Sequence, residues 1–135
     1  MNFAQGLLLA GMLVCSIYAH ASSTIVNLKV QDVVEPLMIE DTHPMFSWQM
    51  QSDERGVKQQ AYQIVVKRAS DNKIVWNSGK VNSGYSDNVK YLGVALQAEK
   101  EYIWDLTVWD SKGREFKSSS KFETGLMDPS IRAWN

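Results

Sequence analysis

Alternation of apolar and polar side chains with a period of two is the feature that most limits how this chain can fold. It is clearest over residues 102–109, where Tyr102, Trp104, Leu106 and Val108 are set against a second row. The second row is Ile103, Asp105, Thr107 and Trp109. Side chains on a β-strand point to opposite faces in turn, so this pattern predicts a strand with one face in a core.

The same period recurs along most of the chain after residue 25. We predict strands over 26–30 (Val26, Leu28 and Val30 alternating with Asn27 and Lys29), 44–50, 61–68, 74–76, 88–92, 102–109 and 117–124. Between them lie turn signals, notably Asn72 in the stretch 70–73 and Gly113 after Asp110. No helical spacing is evident in this part of the chain.

About seven short strands at intervals of roughly 8–12 residues are typical of an all-β, two-sheet antiparallel sandwich of the immunoglobulin or fibronectin type III kind. A parallel sheet would need helical segments between its strands, and the sequence has none there. We expect the sandwich to occupy residues 22–126, with 127–135 as a linker or tail.

Residues 1–21 have the pattern of a secretory signal peptide. An apolar run over 7–17 is too short to span a bilayer comfortably, and Ala19, His20 and Ala21 form a small-x-small cleavage motif. The segment lacks an early Lys or Arg, so a lipoprotein signal through Cys15 and a buried N-terminal helix remain alternatives. Cleavage would leave a secreted or periplasmic chain with no cysteine and no membrane span.

Charge and residue types argue against several classes of function. The formal net charge is −1 with mixed signs, which offers no patch for nucleic acid. His43 would be the single histidine of the mature chain and has no spaced partner, so we expect no metal and no cofactor. The acidic pairs Asp53-Glu54 and Glu40-Asp41 lie in polar connections, where carboxylates usually stay solvated and ionised. We therefore expect no catalytic residue.

Two local features predict how the sandwich is filled. Trp48 follows Phe46 on an inward face, and a ring of this size can bridge two sheets. Leu96 precedes Tyr102 by six residues, which resembles a tyrosine corner whose hydroxyl bonds to upstream backbone. The expected core residues are Phe46, Trp48, Tyr62, Ile64, Leu96, Tyr102, Trp104 and Leu106.

An ordered set of short motifs gives the chain a family resemblance. They are PMFSWQMQS at 44–52, RG at 55–56, QAYQI at 60–64, WNSGKV at 76–81, YIW at 102–104, VWD at 108–110 and FETGL at 122–126. Together they resemble the N-terminal module of bacterial α-L-rhamnosidases of glycoside hydrolase family 78. Ala98 stands where fibronectin type III domains usually have proline, so the loop there is expected to be less rigid.

The resemblance implies a fibronectin type III-like accessory domain without catalysis of its own. In that family the acid and base carboxylates belong to a large helical barrel that follows such modules, and this chain does not contain it. The implied partner is the catalytic domain of a rhamnosidase-like parent or partner chain. The resemblance also implies that the present chain is a truncated or split gene product.

Two alternatives remain open, a stand-alone carbohydrate-binding module and a fibronectin-like adhesion or protein-interaction domain. Aromatic faces stack well on sugar rings, and the aromatic residues not clearly assigned to the core are Trp76, Trp109, Tyr85 and Tyr91. We take Trp76, Trp109 and Tyr85 as candidates for binding a glycan. Packing against a neighbouring domain is the competing interpretation of these exposed rings.

Overall fold

Seven strands and no helix make up the part of the chain that the computed structural model describes, residues 23–128. The expected signal segment 1–21 and most of the expected tail lie outside these residues. The strands are β1 (Ser23–Val30), β2 (Met45–Ser52), β3 (Gln59–Arg68), β4 (Ile74–Asn77), β5 (Val89–Lys90), β6 (Glu101–Asp110) and β7 (Glu115–Glu123).

The strands form two antiparallel sheets, one in the order β1-β2-β5 and the other in the order β4-β3-β6-β7. The chain crosses between the sheets after β2, after β4 and after β5, while β3–β4 and β6–β7 are hairpins. This confirms the predicted all-β sandwich of immunoglobulin type, because each sheet buries one face against the other.

Strand β6 is central to the larger sheet and shows the alternation that the sequence predicted. Tyr102, Trp104, Leu106 and Val108 are 0–1% exposed, and the residues between them are only partly buried. β6 pairs with β3 on one side and β7 on the other, with Ile64 opposite Leu106. Because β6 is hydrogen-bonded to a strand on each side, its inward-facing side chains form the middle of the core.

The alternation of β1 is broken near its start. The pairing with β2 shifts between Val26 and Lys29, and Asn27 has a positive φ of 54°. This β-bulge changes which side chains face inward: Ile25 packs against the core, then Leu28 and Val30, whereas Val26 does not. An extra residue in one strand reverses the alternation at that point.

The core is aromatic at its centre. The Phe46 ring lies 4.6 Å from that of Trp104 and 6.0 Å from that of Phe122, between centroids, and joins the two sheets. Seven of the eight expected core residues are at most 4% exposed; Tyr62 is only partly buried, at the rim beside Trp48, with ring centroids 5.2 Å apart. The core also contains Ile39, Val89 and Tyr91, which the alternation did not assign to it.

The connection from β5 to β6 contains the tyrosine corner. The Gln97 N–H donates to the Tyr102 hydroxyl at 3.0 Å, five residues upstream of the ring, and Leu96 beside it is buried. The Tyr102 ring stacks on Phe122 at 5.4 Å, so the same residue fastens the loop and fills the core.

Both hairpin turns use the residues that the sequence singled out. Asn72 has φ 57° between β3 and β4, and Gly113 has φ 77° between β6 and β7. At the end of the described chain, Met127 packs against the core and its N–H donates to Glu40 Oε2 at 2.8 Å. Met127 is thus tied to the sandwich by packing and by a backbone hydrogen bond.

Candidate functional surfaces

The first acidic pair contains a carboxylate held by two cations. Glu54 lies 2.8 Å from Lys112 Nζ and 2.9 Å from Arg114 Nη2, while Asp53 beside it is exposed. Hydrogen bonds from Lys112 and Arg114 hold the pKa of Glu54 below its usual value. A general acid needs the opposite shift, so Glu54 is poorly suited to that role.

A fully buried carboxylate, which the sequence analysis did not single out, completes this group. Asp110 accepts the Lys112 N–H at 2.9 Å, the Arg114 N–H at 3.0 Å and Arg114 Nε at 2.8 Å. Burial by itself would raise the pKa of Asp110, but these hydrogen bonds outweigh it and the pKa lies below the usual range. We call Glu54, Asp110, Lys112 and Arg114 the turn cluster; it ties the β2–β3 connection to the β6–β7 turn.

The second acidic pair and the histidine make local structural bonds. Asp41 Oδ1 accepts the His43 N–H at 2.9 Å, and Glu40 accepts the N–H of Met127. The His43 ring is partly buried, with Nε2 3.2 Å from the Gly93 carbonyl oxygen and Nδ1 3.0 Å from Thr42 Oγ1. Both ring nitrogens therefore have protein partners.

Neither a metal-ligating cluster nor a membrane-spanning helix is found among residues 23–128. This stretch contains no group of three or more His, Cys, Asp or Glu side chains placed to hold a metal ion. It also contains no helix that could cross a membrane.

An exposed apolar surface lies where the chain leaves the sandwich. Leu37 is 68%, Met38 70% and Leu126 51% exposed, and they border a depression of about 450 Å³ with the ends of β6 and β7. We call these three residues the exit surface. Period-two alternation could not reveal it, because the residues lie in connections rather than strands.

The backbone beneath the exit surface is fixed. The Glu123 N–H donates to Pro36 O at 2.9 Å, the Ile39 N–H donates to Glu123 O at 2.9 Å, and the Gly125 N–H donates to Ile39 O at 2.8 Å. The apolar side chains therefore stand on a braced backbone rather than a loose loop.

The structure brings two of the three glycan candidates together and separates the third. Trp76 and Tyr85 line one groove at the open edge of the sandwich. Trp109 lies on the outer face of β6, where Lys80 Nζ is 4.4 Å from its ring centroid. Tyr91 is buried, its hydroxyl donates to Val94 O at 2.6 Å, and burial raises its pKa to about 12.

The fold and these surfaces together define an immunoglobulin-like β-sandwich domain with an aromatic core and a tyrosine corner. The family described as the Rha78A-like, N-terminal immunoglobulin domain matches residues 25–128. The chain belongs to this family, and the resemblance drawn from its motifs is confirmed.

Known relatives agree with this assignment. An α-L-rhamnosidase of Formosa agariphila is 39% identical over 70% of this chain and 11% of its own length. One of Streptomyces avermitilis is 40% identical over 75% of this chain and 10% of its own length. This chain thus spans about a tenth of the length of these relatives, and its similarity lies with their N-terminal part.

Solved structures give the same result. The crystal structure of Streptomyces avermitilis α-L-rhamnosidase complexed with L-rhamnose superimposes with a TM-score of 0.74 at 37% identity, covering 81% of this chain and 11% of that one. The α-L-rhamnosidase from Dictyoglumus thermophilum gives 0.72 at 37% identity, covering 79% and 13%. The domain is therefore a small part of a much larger chain in both.

Proposed function

We propose that this domain is a non-catalytic accessory module that packs against the catalytic part of an α-L-rhamnosidase-like enzyme. The observation that carries the proposal is the exit surface, an exposed apolar patch at the point where the chain continues beyond the sandwich. Apolar patches of this kind mark interfaces, and sequential domains commonly meet close to their linker.

The carboxylates support a non-catalytic role. Inverting glycoside hydrolysis requires two carboxyl groups about 6.5–9.5 Å apart, one of them with a raised pKa. Glu54, Asp71 and Asp110 have displaced pKa values, and all three are displaced downward. Their bonds to Arg68, Lys112 and Arg114 serve the fold.

The rigidity of the exit surface supports docking. An apolar surface on a braced backbone loses little conformational entropy when a partner covers it, which favours association. Burial of Leu37, Met38 and Leu126 would also remove from water a cluster that is 51–70% exposed in the separate domain.

A domain exchange tests the docking proposal. The matching N-terminal stretch of the Streptomyces avermitilis relative is replaced by this domain, and the thermal unfolding of the chimera is followed. We expect Leu37→Ser with Met38→Ser to lower the melting temperature of the chimera by more than it lowers that of this chain alone. The control pair is Ile74→Ser with Val94→Ser, two exposed side chains elsewhere, and it should lower both equally. Equal effects of the two pairs in the chimera would contradict docking through the exit surface.

Assays of the chain alone test the absence of catalysis. We expect no hydrolysis of an aryl α-L-rhamnoside above the buffer rate. Turnover that is abolished by Glu54→Gln, in a variant that still folds, would overturn the proposal.

We also infer that the chain is exported. The apolar run at 7–17 and the Ala19, His20, Ala21 motif support this inference. Fractionation of expressing bacteria with N-terminal sequencing tests it: a mature chain starting at Ser22 outside the cytoplasm is expected, and a chain that stays inside with Met1 in place would refute it.

A further inference from the structure

The groove at the open edge of the sandwich is formed by one excursion of the chain. After β4 the chain runs beside β3, with Val81 and Tyr62 exchanging backbone hydrogen bonds at 2.8 and 3.0 Å. It then crosses to the other sheet, where the Trp48 N–H donates to Ser86 O at 2.9 Å before β5 begins. The space between these two stretches, about 720 Å³, is what we call the edge groove.

Tyr85 stands at this groove as an exposed ring on a fixed backbone. Its side chain is 78% exposed, yet its N–H donates to Ser83 Oγ at 3.0 Å and its carbonyl accepts Gln59 Nε2 at 2.8 Å. Gln59 is itself anchored, because its Oε1 accepts the indole N–H of buried Trp48 at 2.7 Å. These bonds fix the backbone that carries the ring at the groove, and the ring itself is exposed rather than part of the core, so it is accessible to a ligand.

Trp76 supplies a second aromatic surface to the same groove. One part of its ring packs on the core, with its centroid 6.3 Å from that of Phe46 and 5.1 Å from that of Tyr91. The ring is only partly buried, and it lines the groove together with Tyr62 and Tyr85. The core contacts lock the orientation of the indole.

The remaining lining mixes apolar side chains (Val81, Val89 and Leu92) with polar ones and is nearly uncharged overall. Asn77, Ser78 and Asn88 provide amide and hydroxyl groups, while the charges of Asp87 and Lys90 offset each other. No arginine lines the groove, so it lacks the planar donor that binds phosphate and carboxylate groups best. Aromatic faces with a few uncharged hydrogen-bonding groups suit a neutral ligand with apolar C–H faces and hydroxyl edges.

We propose that the edge groove binds a neutral glycan, with a sugar ring stacked on Tyr85 and Trp76. Its volume lies within the range of about 300–1,000 Å³ typical of small-molecule sites, which suits one or two sugar units. The groove is lined by other residues than the exit surface, so binding here is independent of docking there.

A titration followed by NMR tests the proposal on the purified, ¹⁵N-labelled chain. The probes are methyl α-L-rhamnopyranoside and cellobiose, added to about 100 mM, where a dissociation constant in the millimolar range would be measurable. We expect at least one probe to shift the indole signal of Trp76 and the amide signals around Tyr85 and Lys90. The Trp109 indole signal should stay in place, because that ring lies outside the groove.

Matched variants assign the effect to the stacking ring. Tyr85→Ala should weaken binding at least about tenfold and Tyr85→Phe less than about twofold, because phenylalanine keeps the aromatic face. Trp109→Phe is the control outside the groove and should leave affinity unchanged. The absence of shifts with both sugars, or equal binding by wild type and Tyr85→Ala, would overturn the proposal. The proposal would also be overturned if an extended peptide, but neither sugar, shifted the amide signals along the free edge of β4. That result would indicate strand addition instead.

Discussion

The packing around Gly93 leaves no room for a side chain. A Cβ atom at this position would lie 2.7 Å from the Tyr91 ring and would also clash with the Cβ of Trp76. Tyr91 is buried, and its hydroxyl is fixed by the Val94 carbonyl, so the ring has little freedom to withdraw. The close approach of the backbone lets Trp76 and Tyr91 meet edge to face.

We therefore expect Gly93→Ala to destabilise the domain by about 1–3 kcal/mol, the usual cost of overpacking a well-filled site. The measurement is urea unfolding followed by tryptophan fluorescence. Gly84→Ala is the control, because a Cβ there has only an ordinary contact, 3.4 Å from the Gln59 carbonyl oxygen. It should change the stability by less than about 0.5 kcal/mol. Equal stability of the Gly93→Ala and Gly84→Ala variants would refute this account of the packing.

At the scale of the elements, the β5–β6 connection is hydrogen-bonded to the sandwich near its middle and at its end. Near the middle of the connection, the Tyr102 hydroxyl accepts the Gln97 N–H, and Thr124 Oγ1 donates to Gln97 O at 2.6 Å. At the end of the connection, Thr124 Oγ1 accepts the Lys100 N–H at 3.0 Å. These bonds connect the loop to β6 and to the residue after β7. They brace the connection on both sides of Ala98, the position at which the sequence lacks a proline.

Removing the Tyr102 hydroxyl tests how much this fastening contributes. Tyr102→Phe keeps the ring stacked on Phe122 but leaves the Gln97 N–H without its acceptor, so we expect a loss of about 0.5–1.5 kcal/mol. Hydrogen exchange at Gln97 should accelerate by more than exchange in β6. Tyr85→Phe serves as the control, since its hydroxyl belongs to an exposed side chain. An unchanged exchange rate at Gln97 would contradict a fastening role of the corner.

At the scale of the whole molecule, carboxylates with lowered pKa values make the free energy of unfolding depend on pH. Glu54 and Asp110 belong to the turn cluster, and a hydrogen bond from Arg68 lowers the pKa of Asp71 to about 2. A group whose pKa is lower in the folded state than in the unfolded state stabilises the fold fully at pH values above the pKa of the unfolded state. That stabilisation is lost as the pH falls through the pKa that the group has in the folded protein.

We expect the free energy of unfolding to be level between about pH 5 and 7 and to fall from about pH 4.5 towards pH 2, because the unfolded carboxylates bind protons first. Urea midpoints measured across this range check it. Asp110→Asn should be less stable than wild type at pH 7 and should show a smaller loss on acidification. A wild-type midpoint that stays constant down to about pH 3 would show that these ion pairs do not contribute.

Local patterns accounted for much of the fold. Alternation in β6 and the turn residues Asn72 and Gly113 depend on contacts near in sequence, so the sequence was sufficient to predict them. The bulge at Asn27 in β1 was not predicted, because it depends on pairing with β2. Ile39 enters the core from a connection, where no periodicity marks an inward side chain, and Tyr91 enters it directly after the two-residue strand β5.

The sequence by itself determined the sandwich, the aromatic core and the family, because period two, turn chemistry and ordered motifs are all properties of neighbouring residues. Only the tertiary structure decided which exposed side chains belong together. Trp76 and Tyr85 line one groove while Trp109 does not, and Leu37 and Leu126, far apart in the sequence, border one depression. The physical reason is that surfaces form between segments far apart in the chain, whose relative positions are set by sheet pairing.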